Sequence, residues 1–245
     1  MVVFWQTIAD YNAATWIFQA FIIVIAATLT FLLYVKPSEK VRTTMRIFMA
    51  FLNFWIAGVY YMVYCQPREY HGMMALFWAI MGSLWLYDIG VKRTSLERTG
   101  RHSRFALLLF VMPLLYPVTS LLLGRTWPMM TSPVMPCSVA VFTVGLMLAF
   151  SVRVNMVLAM FLCHWSLIGL SKVYFFGIPE DYILGCSIIP ALYIFFREYI
   201  ISISNERTKP SVRVLNILLI TLCMMVGGLF TYTLFNQFDL FSKII

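Results

Sequence analysis

The sequence predicts an all-α bundle of about eight transmembrane spans with both termini outside. Three observations carry that expectation. Of 245 residues, 62% are hydrophobic and only 11% are charged. The apolar residues fall in long unbroken runs, and the basic residues gather on alternate connections between those runs. A water-soluble domain carries about a quarter charged residues, because its surface must be hydrated. A chain with less than half that share needs lipid as its solvent. In lipid every backbone polar group must be paired internally, which leaves helices or closed barrels. Continuous rather than alternating apolar runs select the helix.

Taken in order, the runs cover about residues 11–35, 45–64, 72–86, 105–123, 137–150, 156–176, 182–196 and 214–234. A helix needs roughly 20 residues to cross the hydrocarbon, so the third, fifth and seventh are expected to lengthen into their flanks. No connection exceeds about twenty residues by this reading, so the chain is expected to be one transmembrane domain over 1–245. The first ten residues lack a basic stretch and a small-residue cleavage site, so the first span reads as a retained helix rather than a signal peptide. No internal repeat is visible, and no two glycines stand four apart, so no GxxxG face marks an oligomer.

Orientation follows from the cations. Lys36, Lys40, Arg42 and Arg46 follow span one, and Lys92, Arg93, Arg98, Arg101 and Arg104 follow span three. Arg153 follows span five, and Arg197, Arg207, Lys209 and Arg213 follow span seven. Only Arg68, Arg125, Lys172 and Lys243 fall on the other side. Positively charged connections stay cytoplasmic, so the even count of spans leaves both ends outside. The same distribution explains the net charge of +8 without nucleic acid. Five cysteines show no CxxC pair and no metal-ligand spacing, so neither a metal nor another cofactor is called for. The expected partners are membrane lipids and a small solute or ion.

Polar residues inside apolar spans are costly, and their positions are therefore informative. At the outer end of span one stand Tyr11, Asn12, Trp16 and Gln19, with Asn12, Trp16 and Gln19 four and three apart and expected on one helical face. Arg125 lies in the outer connection after span four, and Cys137 opens span five. Lys172 sits about four residues below the outer end of span six, followed by Glu180 and Asp181 across the turn. Together these nine residues form a candidate outward-facing vestibule. The plain alternative is an interfacial belt of Tyr and Trp with solvated charges, and for Lys172 a snorkelling side chain. His164, midway along span six, is either a packing histidine or a proton-linked one. Cys65 and Cys137 share the outer side, where a disulfide would be chemically allowed.

Several segments also carry a resemblance. Tyr11-Asn12-Ala13-Ala14-Thr15-Trp16 with Gln19, Phe54-Trp55-Ile56-Ala57-Gly58-Val59-Tyr60-Tyr61, Tyr116-Pro117, and Gly124-Arg125 with Pro128 occur in order. They are followed by Pro136-Cys137, Phe142-Thr143-Val144-Gly145, Trp165, Ile168-Gly169 and Gly177-Ile178-Pro179-Glu180-Asp181. This series, over about residues 8–195, resembles an uncharacterised family of bacterial integral membrane proteins, domain of unknown function 6064. The resemblance implies a bacterial cytoplasmic (inner) membrane and marks the same outer residues, but implies no activity. The span at 214–234 reads as an addition beyond it. Tyr61 and Arg125 stand where the family pattern carries His, and Ser138 stands where it carries a second Pro.

Three functions fit these residues. The first is a small-solute or ion transporter or channel with the polar vestibule at its outer mouth. The second is a membrane-embedded enzyme acting on a lipid or lipid-linked substrate through Glu180, Asp181 or Cys137. The third is a non-catalytic scaffold or partner subunit. No HExxH or GxSxG pattern is present, which weighs against the enzyme.

Overall fold

The computed structural model describes residues 2–97, 103–176, 178–205 and 221, and every regular element among them is helical. Its contacts divide the chain into two compact units, Met1–Phe195 and Phe196–Ile245. In the second unit, Arg197 donates to the Glu198 carboxylate at 2.9 Å and 3.1 Å. The predicted span at 214–234, residue 221 apart, and the C-terminal end lie outside the described residues.

Helix α1, Val2–Val35, has 34 residues. At 1.5 Å per residue it is about 51 Å long, well beyond the ~30 Å hydrocarbon core of a bilayer. It ends where Pro37 cannot supply the next helical N–H. Helix α2, Glu39–Trp55, starts on Ser38, whose hydroxyl accepts from the Val41 N–H at 3.3 Å, with Glu39 in the first turn facing the positive end of the helix dipole. It continues as a π-helix over Ile56–Tyr64. That wider coil takes a smaller angular step per residue, and the adjacent Tyr60 and Tyr61 are both buried.

Helix α3, His71–Val91, ends on Lys92 in the left-handed region at φ 52°, with the Lys92 N–H bonded to the Asp88 carbonyl at 2.8 Å. Helix α4, Ser103–Leu122, contains Pro113 and Pro117, which withdraw two donors from its ladder. Helix α5, Pro136–Phe150, is 15 residues long and buries thirteen of them, so it is the central element of the first unit. It packs most closely on α4, where a Cβ added at Gly145 would stand 3.0 Å from the Leu109 Cβ. Helix α6 is Met156–Phe176, followed by a 3₁₀ turn at Pro179–Asp181, then α7, Tyr182–Cys186, and α8, Ile188–Asn205.

Among the described residues, four helices are long and apolar enough to cross a membrane: Val2–Val35, Glu39–Tyr64, His71–Val91 and Arg104–Leu122. Shorter apolar helices cover Pro136–Phe150 and Met156–Gly169. The fifth predicted span does not lengthen into its flanks. Met135 and Ser151 are both extended, so α5 keeps 15 residues. The seventh is divided, because the chain turns at Ser187 between α7 and α8. From Trp16 onward the outward surface of α1 is predominantly apolar, with Trp16, Phe18, Phe21, Val24 and Phe31 all exposed. A contiguous apolar face of that length is one that water does not tolerate and acyl chains do.

At one end of the first unit a buried ion pair joins α2 to α3. Arg46, 2% exposed, lies 3.4 Å from the carboxylate of Asp88, 0% exposed. Asp88 also accepts from the Thr94 N–H at 3.0 Å, and Arg46 donates to the Thr94 carbonyl at 2.8 Å. The Thr94 hydroxyl in turn accepts from the Asn155 N–H at 3.3 Å, which ties the connection after α3 to the one before α6. Replacing Asp88 by Ala strands the guanidinium without its partner. We expect the variant to lose about 3–5 kcal/mol of stability, read as a large fall in the thermal unfolding midpoint in detergent.

Candidate functional site

The polar face of α1 is spent on the backbone between α4 and α5. The Tyr11 hydroxyl donates to the Val134 carbonyl at 2.7 Å and accepts from the Trp55 indole N–H at 3.1 Å. Asn12, 0% exposed, donates to the carbonyls of Pro128 at 2.9 Å and Met130 at 2.6 Å. Gln19 donates to the Asn12 side-chain oxygen at 3.3 Å and to the Thr15 hydroxyl at 2.9 Å, which orients the Asn12 amide. This segment is non-helical and buried at Met130, Thr131, Ser132, Val134 and Met135. Its peptide groups are out of reach of water, so α1 must supply their donors.

The same segment is held from its other side by α4 and the 3₁₀ turn. The Ser120 hydroxyl accepts from the Thr131 N–H at 3.1 Å and donates to Glu180 Oε1 at 2.8 Å. Arg125 donates to the same Glu180 oxygen at 3.0 Å, a charge-assisted bond, and its guanidinium lies over the Trp5 ring at 3.3 Å from the centroid. Glu180 is 1% exposed, and its Oε2 has no hydrogen-bond partner among the described residues. A continuous path of contacts therefore runs from Gln19 through Asn12, residues 130–131 and Ser120 to Glu180 and Arg125.

Of the predicted site residues, Tyr11, Asn12, Gln19, Arg125 and Glu180 are brought together in this way. Asp181 is buried beside Glu180 in the turn, and Cys137 is buried at the second position of α5. Trp16 is not on the shared face: it is 56% exposed. The buried face is centred nearer Ile8, Tyr11, Thr15 and Gln19. Four residues advance the helix by one turn and a further ~40°, which carries Trp16 over its edge. The His164 ring is held on its own helix by the Met160 carbonyl, 2.8 Å from Nδ1. Lys172 lies in α6, and its side chain lies outside the described ones. Cys65 and Cys137 are both buried, and no disulfide joins them.

Two groups that sequence reasoning treated only as connection charge, or passed over, are structural. Arg68 donates to the Thr7 hydroxyl at 2.7 Å, the Phe4 carbonyl at 2.9 Å and the Tyr60 hydroxyl at 3.3 Å, pinning the start of α1 to the end of α2. Asp88 stood at the polar end of a predicted span, where only its pairing with Arg46 gives it meaning. A carboxylate six residues before the Thr94-Ser95 pair is the single signal the sequence offered. Among the described residues, no three His, Cys, Asp or Glu side chains are grouped to hold a metal ion.

A cavity of about 620 Å³ lies between α1, α4 and α5. Its wall is carbon almost throughout, with Ile22 and Ala26 from α1, Phe110 and Leu114 from α4, and Phe142 and Phe150 from α5. Arg104 and Tyr34 lie on its lining, as does Thr30, while none of the predicted site residues with a described side chain does.

These elements define an all-helical protein with membrane-length helices and an apolar cavity between them. The chain belongs to the family of unknown function DUF6064, which its residues 1–207 match. No curated protein and no solved structure matches it.

Asn12→Leu removes the donor from two buried carbonyls. The expected cost is about 1–3 kcal/mol, seen as a lower unfolding midpoint together with new protease cleavage within residues 125–135. Trp16→Leu, on the exposed face, should leave both readouts unchanged.

Proposed function

We propose that this chain is a multi-pass membrane protein that binds a lipophilic molecule drawn from the surrounding bilayer. It sits in a cytoplasmic membrane with the basic connections inside. The observation that carries this reading is the cavity between α1, α4 and α5. Its volume of about 620 Å³ falls within the roughly 300–1,000 Å³ of small-molecule sites. Its apolar wall offers a hydrated solute almost nothing to replace lost water, whereas an acyl or isoprenoid chain loses nothing by entering. The outer polar residues support the same reading. Tyr11, Asn12 and Gln19 have their polar atoms committed to backbone and to one another, so they serve the bundle rather than a water-filled path.

A small-solute or ion carrier is the second reading, favoured by one observation. Glu180 keeps one buried carboxylate oxygen without a hydrogen-bond partner among the described residues, beside Arg125. Such a group is costly unless it exchanges a proton or a cation. Action on a lipid substrate has less support, since Glu180, Asp181 and Cys137 do not line the cavity.

The test is extraction of protein purified in mild detergent, with the bound lipophiles identified by mass spectrometry. Wild type should carry about one per chain. Ala26→Trp, which fills the cavity, should carry little while keeping its unfolding midpoint. Equal retention by both proteins would sink the reading. Solute flux into vesicles that is lost in Glu180→Gln but retained in Ala26→Trp would favour the carrier instead.

A further inference from the structure

We infer that the cavity's occupant is an anionic glycerophospholipid, with its phosphate on Arg104 and one acyl chain along the groove; this rests on the lipophile-binding reading above. Length comes first. On α4 the lining runs from Arg104 to Leu114, ten residues or about 15 Å, and on α1 from Ile22 to Tyr34, about 18 Å. Half of a ~30 Å hydrocarbon core is about 15 Å, so the groove matches one leaflet rather than the whole membrane. A chain from a single leaflet fills it, and the headgroup then stands at one end.

Charge decides which headgroup. Arg104, in the first turn of α4, is exposed on the lining, and no acidic residue lines the cavity among the described residues. Three other cations on the same side of the bundle are matched by carboxylates, and Lys36, Lys40, Arg93 and Arg153 are exposed away from the lining. Arg42 lies 3.1 Å from Glu97, Arg46 lies 3.4 Å from Asp88, and Lys92 lies 2.6 Å from Glu39. Arg104 has no acidic partner among the described residues, so an uncompensated guanidinium stands where an apolar groove opens. A planar guanidinium presents paired donors that fit phosphate oxygens. A zwitterionic headgroup would bring a second cation toward Arg104, whereas an anionic one would not. The leaflet agrees as well. The basic connections mark this end as cytoplasmic, and anionic lipid gives that face of a membrane its negative potential.

The experiment offers equimolar phosphatidylglycerol and phosphatidylcholine to the purified full-length chain and measures bound lipid by native mass spectrometry. Wild type should enrich phosphatidylglycerol about tenfold, the equivalent of one charge-assisted contact. Arg104→Gln should fall to near parity while total bound lipid stays constant, and Arg104→Lys should keep part of the preference. Unchanged enrichment in Arg104→Gln, or no preference in wild type, overturns the headgroup assignment and leaves the lipophile reading standing. If wild type and Ala26→Trp hold the same amount of either lipid, the lipophile reading has failed, and this inference with it.

Discussion

The structure depends on one constraint: a non-helical stretch of backbone is buried between α4 and α5, and its peptide groups must find partners inside the protein. Residues 130–135 present peptide groups largely withdrawn from water. The protein answers with side chains from three directions. Asn12 and Tyr11 come from α1, Ser120 from α4, and Ser138 from α5 itself, donating to the Ser132 carbonyl at 2.8 Å. Each pairing avoids about 1–3 kcal/mol that an orphaned buried group would cost. Non-helical backbone at membrane depth survives only where protein encloses it in this way.

That constraint explains the shape around it. Helix α5 has 15 residues, about 22 Å, and falls some 8 Å short of the ~30 Å hydrocarbon thickness. The buried non-helical stretch before Pro136 leads directly into this helix. Because α1 is fastened to that segment through Tyr11 and Asn12, and α4 through Ser120, both helices are positioned by the segment as an intermediary. Below it α5 remains behind them both, and the space between α1 and α4 is left as the cavity. The outer polar cluster and the apolar groove are then two consequences of one arrangement.

The opposite end of the first unit repeats the device with charge. Asp88 accepts from the Thr94 N–H, the Thr94 hydroxyl accepts from the Asn155 N–H, and the Ser95 hydroxyl accepts from the Val152 N–H at 3.0 Å. Here too side chains from helices and short connections satisfy irregular backbone. The cost is a buried ion pair, Arg46 with Asp88, whose desolvation is offset only because the Thr94 backbone completes it. Arg104 stands apart from this network, and that separation gives it a different meaning from the cations around it.

Most helices were legible because an apolar run is a direct record of the surface that lipid or core must cover. The runs ending at Val35, Tyr64 and Phe150 match helix ends to the residue, since Pro37, the Cys65-Gln66-Pro67 segment and Ser151 stop them locally. The break at Ser187 was not legible, because nothing in Gly185-Cys186-Ser187 forbids a helix by composition. The outer residues were legible as a cluster but not as a purpose. Asn12 and Gln19 have the same composition and spacing whether they face a solute or a carbonyl. What separates the two is the position of Pro128 and Met130, more than a hundred residues away in the chain. The cavity was further still from view, because a void is made by the helices that fail to touch, and no residue encodes it alone. The same reasoning bears on Arg104. In sequence it is one of fourteen cations on the basic side, and only its position on the lining, with no carboxylate beside it among the described residues, sets it apart.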